Sequence, residues 1–357
     1  MRRYGHVTKS ALAALAAVAA IVAAVALLLL IGGYDVPRAL GALWTGSVGS
    51  WYALTSATLV RAIPLMLTGC AIAVAFRAGV FNIGAEGQLL AGGAGATAVA
   101  LMMPNAGTLA LVLALLVATV AGAGWAGIAA VLRERFGVLE VISTIMLNFV
   151  ALYAVSFLVR GPLQEPTHAY PQSSSIADAM HLARIPGTGR LHLGIVIALV
   201  VTLATGWVLR HSASGFRLMA VGESPTAAAS AGEIDVRRVT ALAFVGSGAL
   251  AGLAGGIEVL GVTYALYEDL SPGYGYTAIA VALLAGLDPR KVVLTALLFA
   301  ALEAGAGAMQ RDAGVPSTLV SVVEALLILG VLAAQATRRR RAGPPRGDHA
   351  VLQEHAA

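Results

Sequence analysis

The sequence predicts an all-α, polytopic integral membrane protein with about ten transmembrane helices and both termini in the cytoplasm. Hydrophobic residues make up 59% of the 357 residues and charged ones only 11%, with a mean hydropathy of +0.84, a balance that excludes a water-soluble body. The apolar residues come in runs of about twenty, long enough at about 1.5 Å per residue to cross a core of about 30 Å. Basic residues gather in short clusters between the runs, the placement that orients membrane helices, so the formal charge of +5 does not point to nucleic acid. Cys70 is the only cysteine, which excludes an intramolecular disulfide and a cysteine metal cluster.

In chain order, Arg2, Arg3 and Lys9 precede an apolar run from Ala11 to Ile31, longer than a secretory signal core and without a small-residue cleavage site, hence a first, uncleaved span. Gly32 to Ser50 reads as an interfacial loop, with Trp44, Trp51 and Tyr52 suited to the headgroup layer. The second span is expected over Val60 to Phe76, with Pro64 near its start where a missing N–H is tolerated. A third runs from about Phe81 to Met103, its glycines Gly84, Gly87, Gly92, Gly93 and Gly95 letting neighbouring backbones approach. Further spans follow over Leu109 to Leu132, Leu139 to Val159 and Leu193 to Leu209. A proline- and serine-rich loop, residues 160–192, separates the last two. After a polar interval, residues 210–238, spans are expected over Val239 to Val262, Val292 to Met309 and Val315 to Ala334. Between the first two of these lies Thr277 to Leu287, a length at which a re-entrant segment competes with a crossing. Residues 337–357 read as a disordered tail behind the Arg338 to Arg341 cluster.

Ten crossings with cytoplasmic termini give the cytoplasm 17 of the 23 basic residues and leave Arg38, Arg61, Arg160, Arg184, Arg190 and Arg311 outside. On that count the loop 160–192 is external and the interval 210–238 is cytoplasmic.

Polar residues inside apolar spans are the candidates for function, because each costs free energy unless it faces a partner or a pathway. Asn82, Glu86 and Gln88 open the third span; they either bond backbone groups exposed by the glycines or line a pathway. Placed after Arg77, they begin their helix near the cytoplasmic surface. Asn148 lies mid-span, and Glu303 and Glu324 fall at similar depth on consecutive helices, where they could share a proton or bind a hydroxyl. Glu258, near the outer end of its span, can reach interfacial water. Ser224-Pro225-Thr226-Ala227-Ala228-Ala229 reads as a capped, alanine-rich helix closed by Gly232, with too little apolar surface to need the membrane. No phosphate loop, nucleophile elbow or metal pair is present, so no catalytic or metal-ligating residue is expected.

Three blocks carry a resemblance. Phe76-Arg77-Ala78-Gly79-Val80-Phe81-Asn82-Ile83-Gly84-Ala85-Glu86-Gly87-Gln88 resembles the signature of permease subunits of bacterial ABC importers for nucleosides and simple sugars, a group related to ribose and branched-chain amino-acid permeases. Gly222 to Gly232, with Ser247 to Gly255, resembles their coupling region, although Gly222-Glu223 and a third alanine replace the shorter Glu-Ala-Ala form. Gly275 to Leu284 followed by Asp288-Pro289 is similar as well, so the likeness covers about Val60 to Leu332. The resemblance implies a multi-pass permease of the bacterial cell membrane, a second permease subunit, identical or homologous, an external substrate-binding protein, and a separate ATPase subunit that carries ATP and magnesium. This chain would then be no enzyme and bind no cofactor. Gly222, Glu223, Ser224, Pro225, Ala227, Ala228 and Gly232 would couple to the ATPase, and the pathway would pass a nucleoside or simple sugar by alternating access. An ion-coupled carrier working through Glu86, Glu303 or Glu324 is the rival reading.

Overall fold

The computed structural model describes residue 23, residues 25–230 and 234–316, and further on residues 319, 321–322, 325–326 and 329. It divides into two compact units, Leu43–Ala308 and a smaller one of Met1–Ala42 with Met309–Ala357. In the smaller unit residues 25–31 are helical, and Val25 and Leu29 are buried. There Asp35 Oδ1 accepts from the Arg38 N–H at 3.1 Å and starts α1 (Val36–Ser47), in a stretch expected to be a loop.

The larger unit is built from α2 (Trp51–Arg77), α3 (Ala85–Met102), α4 (Gly107–Phe136), α5 (Glu140–Arg160), α6 (Gly194–His211), α7 (Ala213–Glu223), α8 (Pro225–Ser230), α9 (Val236–Thr263), α10 (Tyr274–Leu284) and α11 (Pro289–Ala313). Two turns within these helices are π-helical, Leu54–Thr58 in α2 and Val259–Thr263 at the end of α9. α2 starts earlier than its apolar run because Ser50 Oγ caps it, accepting from the Ala53 N–H at 3.0 Å. Pro64 is carried inside the helix, and its own carbonyl accepts from the Thr68 hydroxyl at 2.6 Å.

The expected count of about ten transmembrane helices is not met. Among the described residues six helices are long and apolar enough to cross a membrane: α2, α4, α5, α6, α9 and α11. The shortfall has identifiable causes. α3 is a helix of 18 residues, but Glu86, Gln88 and its glycines dilute its hydropathy. α10 has 11 residues, about 16 Å at 1.5 Å per residue, which is half a crossing. The expected first span, the tenth span, the Arg338 to Arg341 anchor and the tail lie largely or wholly outside the described residues.

The core is a seam of small residues. A Cβ on Gly92 of α3 or on Gly122 of α4 would land on the Gly252 backbone of α9, and one on Gly255 would meet the Leu89 carbonyl. Backbones therefore touch along α3, α4 and α9, as close packing between apolar helices demands. α2 lies deepest, 83% of its apolar window buried, against 28% for α4, whose outward side carries Leu109, Leu116 and Val120.

The helix ends sort by charge. The ends of α2 and α6, all of α7, and the starts of α9 and α11 bring Arg77, Arg210, Arg217, Arg237, Arg238, Arg290 and Lys291 to one basic face, tied by contacts such as Arg210 to Asp288 at 2.5 Å. At the other face the loop 161–193 folds over α9: Leu182 N–H donates to Leu260 O and Ile176 N–H to Tyr264 O, both at 2.8 Å. It also grips α2, where Arg190 N–H donates to Ser56 Oγ at 3.1 Å. This cover buries Glu258, which therefore does not reach interfacial water as expected.

Candidate functional site

Beyond α9 the chain runs without helix from Tyr264 to Gly273 and then starts α10 abruptly, with Gly273 at φ 101°. Ser271 Oγ caps the new helix, accepting from the Gly273 and Tyr274 N–H groups at 3.1 and 3.0 Å. The next N–H, that of Gly275, donates to Glu86 Oε2 at 2.6 Å. A carboxylate from α3 thus sits on the unpaired N–H groups of α10, where the helix dipole favours negative charge. Gly275 is required for this approach, since a Cβ there would strike the Glu86 backbone.

The non-helical residues 80–84 lead into the same corner. Asn82 and Gln88 exchange side-chain amide bonds at 3.0 Å in both directions, and Asn82 Nδ2 also donates to Ser247 Oγ of α9 at 2.8 Å. Asn82 Oδ1 accepts from the Gly84 N–H at 2.9 Å. Asn148 of α5 accepts from the Gly87 N–H at 2.8 Å and donates to Ile83 O at 3.0 Å and to the Tyr276 hydroxyl at 3.3 Å. The structure therefore brings four sequence candidates, Asn82, Glu86, Gln88 and Asn148, into one buried corner, where their separate hydrogen bonds hold two helix starts. Ser247 lies eleven residues into α9 and Asn148 eight into α5, about 16 and 12 Å from the starts of those helices at about 1.5 Å per residue. The stretch after Arg77 thus climbs back into the body of the protein; it does not begin its helix near the surface as expected, because residues 78–84 are unwound and cover that distance.

Tyr276 completes the corner. Its hydroxyl is held by Asn148 while its ring is 45% exposed, on the same side of α10 as Leu283. Neither Tyr276, Ser247 nor Gly275 was singled out as a site residue; Gly275 and Tyr276 were present only in the third recognised block. Glu303 lies on α11, within electrostatic range of Glu258 and Tyr274. Its proposed companion Glu324 falls outside the described residues.

On the basic face α7 and α8 form a bracket. Ser212 Oγ caps α7 through the Gly215 N–H at 3.0 Å, a helix not expected from the sequence, and Ser224 Oγ caps α8 through the Ala227 N–H at 3.3 Å. Gly222 packs on the end of α2, where a Cβ would collide with the Arg77 carbonyl. Gly222, Glu223 and Met219 share a cavity of about 340 Å³ with Arg77, Gly286 and Leu287. The bracket therefore touches both the segment that enters α3 and the segment that leaves α10. In α8, Pro225, Thr226, Ala227 and Ala229 are exposed whereas Ala228 is buried against the chain; Gly232 lies outside the described residues.

On the loop face Arg160 forms a bidentate pair with Glu268, at 2.6 and 2.9 Å, and Ser156 donates to the same carboxylate. These bonds hold the Glu268 carboxyl well below its usual range, at about 2. His192 is fully buried against Gly194, Ile257 and Gly261, and burial, then Arg184 and Arg190, push its imidazole down to about 4.

Comparison with known proteins places these features. Residues 54–332 match the family described as branched-chain amino acid transport system, permease component. The chain is 40% identical to the guanosine ABC transporter permease protein NupP of Bacillus subtilis over 316 residues, covering 87% of this chain and 90% of that protein. It is 38% identical to the glucose ABC transporter permease protein TsgB13 of Haloferax volcanii, covering 87% and 83%. It is 32% identical to the nucleoside ABC transporter permease protein NupB of Lactococcus lactis, covering 85% of each. A multi-pass helical body with a broken crossing at its polar centre, matched over most of its length, belongs to this permease family, and the chain is a permease subunit of an ABC importer in the cell membrane.

Proposed function

We propose that the solute is a nucleoside, passed by alternating access along the corner of α3, α5 and α10 at the boundary between two permease subunits. The observation that carries this reading is Tyr276: an exposed aromatic ring, backed by buried amides and fixed through its hydroxyl, offers a stacking face for a base beside neutral hydrogen-bonding groups. The guanosine and nucleoside permeases among the relatives support it. The Haloferax relative favours a second reading, a simple sugar, for which the amides alone would serve.

Asn82, Glu86, Gln88 and Asn148 position the corner, and Glu303 stands beside the path. ATP and magnesium are bound and hydrolysed on a separate ATPase subunit, and an external binding protein delivers the solute to the loop face. The basic face is cytoplasmic, in keeping with the positive-inside rule. There the exposed residues of α8, Pro225, Thr226, Ala227 and Ala229, dock on the ATPase, and Glu223 and Ser224 fix the angle of α8. This chain itself carries no cofactor. The test is uptake of labelled guanosine and labelled glucose by the complete importer in proteoliposomes. ATP-dependent, proton-gradient-independent uptake of guanosine is expected; uptake of glucose alone would select the sugar.

A further inference from the structure

We propose that the cavity between α2, α7 and α9 on the basic face binds one anionic phospholipid, with its phosphate on Arg217 and Arg238 and an acyl chain on the apolar floor. The cavity measures about 360 Å³. Its floor includes Val74, Leu218 and Leu242, and its rim carries Arg217, Arg238 and Asp235. Neither guanidinium forms an ion pair with a described residue. Among the described residues the carboxylate at the rim is that of Asp235, which caps α9: its Oδ1 accepts from the Arg238 N–H at 3.0 Å.

The chemistry of the lining selects the occupant. A soluble anion would satisfy the arginines but leave the floor bare, and a zwitterionic lipid would cover the floor but bring a cation toward two arginines. An anionic phospholipid uses both parts. The location agrees, since Leu242 is 60% exposed on the outward side of α9 one turn from Arg238, where a hydrocarbon phase would give way to headgroups. A lipid lodged there props α7, the helix that leads into α8, against the end of α2.

The test uses the complete importer, exchanged into detergent with equal phosphatidylglycerol and phosphatidylcholine and examined by native mass spectrometry. Phosphatidylglycerol is expected to stay bound preferentially, and the double variant Arg217→Gln, Arg238→Gln to lower its retention about thirtyfold, the effect of removing two charges at a lipid phosphate. Phosphatidylglycerol with a photoreactive acyl chain should label the peptides of Val74 or Leu242 in the unmodified protein. Equal retention of both lipids, unchanged retention in the variant, displacement by inorganic phosphate, or labelling only elsewhere would each overturn the proposal. The photolabelling arm decides the matter even if the variant fails to assemble.

Discussion

The seam of α3, α4 and α9 and the corner of α3, α5 and α10 both bury backbone against backbone, but by opposite means. In the seam Gly92, Gly122, Gly248, Gly252 and Gly255 remove side chains so that helices touch along their lengths. In the corner Glu86, Asn82, Asn148 and Ser271 add side chains so that helix starts, with their unpaired N–H groups, can end inside the protein. A seam of van der Waals contacts has one geometry, whereas a corner of separate hydrogen bonds can open one bond at a time. The difference assigns rigidity to the seam and movement to the corner.

The largest effect is expected from breaking the seam. Gly252→Leu drives a side chain into the α4 backbone at Ala118 and Gly122 and should cost about 3 kcal/mol or more, since a backbone cannot step aside. Gly246→Leu, on the same helix with open space around it, should be tolerated; size-exclusion profiles of the two variants would show the contrast. At the corner, Glu86→Ala leaves the Gly275 N–H without its acceptor and should cost about 1–3 kcal/mol, while Glu86→Gln retains an acceptor and most of the stability. Thermal unfolding of the purified complex measures both, and uptake should fall further in the alanine variant than its stability loss explains.

The bracket refines the comparison, because its own helix has an inner and an outer side. Ala227→Glu should abolish ATP-coupled uptake with the fold intact, whereas Ala228→Glu should damage folding, since Ala228 is buried. A test of docking at Ala228, the choice suggested by sequence, would confuse the two effects.

The smallest effect is expected at the loop face. His192 Nδ1 accepts from the Gly194 N–H at 3.2 Å, and protonation would set a donor against that donor. Its folded value of about 4 lies below the ordinary 6.5, so the unfolded loop binds the proton more readily. The contribution of His192 is then complete above pH 6.5 and is lost as pH falls toward 4. Glu268, also depressed, loses its contribution lower, between pH 4.5 and about 2. Hydrogen exchange of residues 173–193 should accelerate across the first window before the Arg160 contact at Glu268 yields.

What the sequence made legible follows from range. α5 and α6 were placed within about two residues because long apolar runs bounded by charge define them locally. Glu86 was found because a carboxylate among glycines is conspicuous, but its partner lies 189 residues away and has no local signal. Tyr276 likewise has no local signal of its bond to Asn148, 128 residues away. The first turns of α2 and the whole of α7 were missed because serine, threonine and glycine weaken the apolar pattern while supplying the caps that start those helices. The count of ten failed where glycine and polar residues made α3 too polar and α10 too short.

The measurement that bears most directly on the corner as a nucleoside path is the apparent KM for ATP-driven guanosine uptake by the complete importer carrying Tyr276→Phe or Tyr276→Leu. Tyr276→Leu should raise KM about tenfold, the loss of one base–aromatic stack, with the complex intact, while Tyr276→Phe keeps the ring and should stay within about twofold. An unchanged KM in Tyr276→Leu, or an equal rise in both variants, would contradict the account.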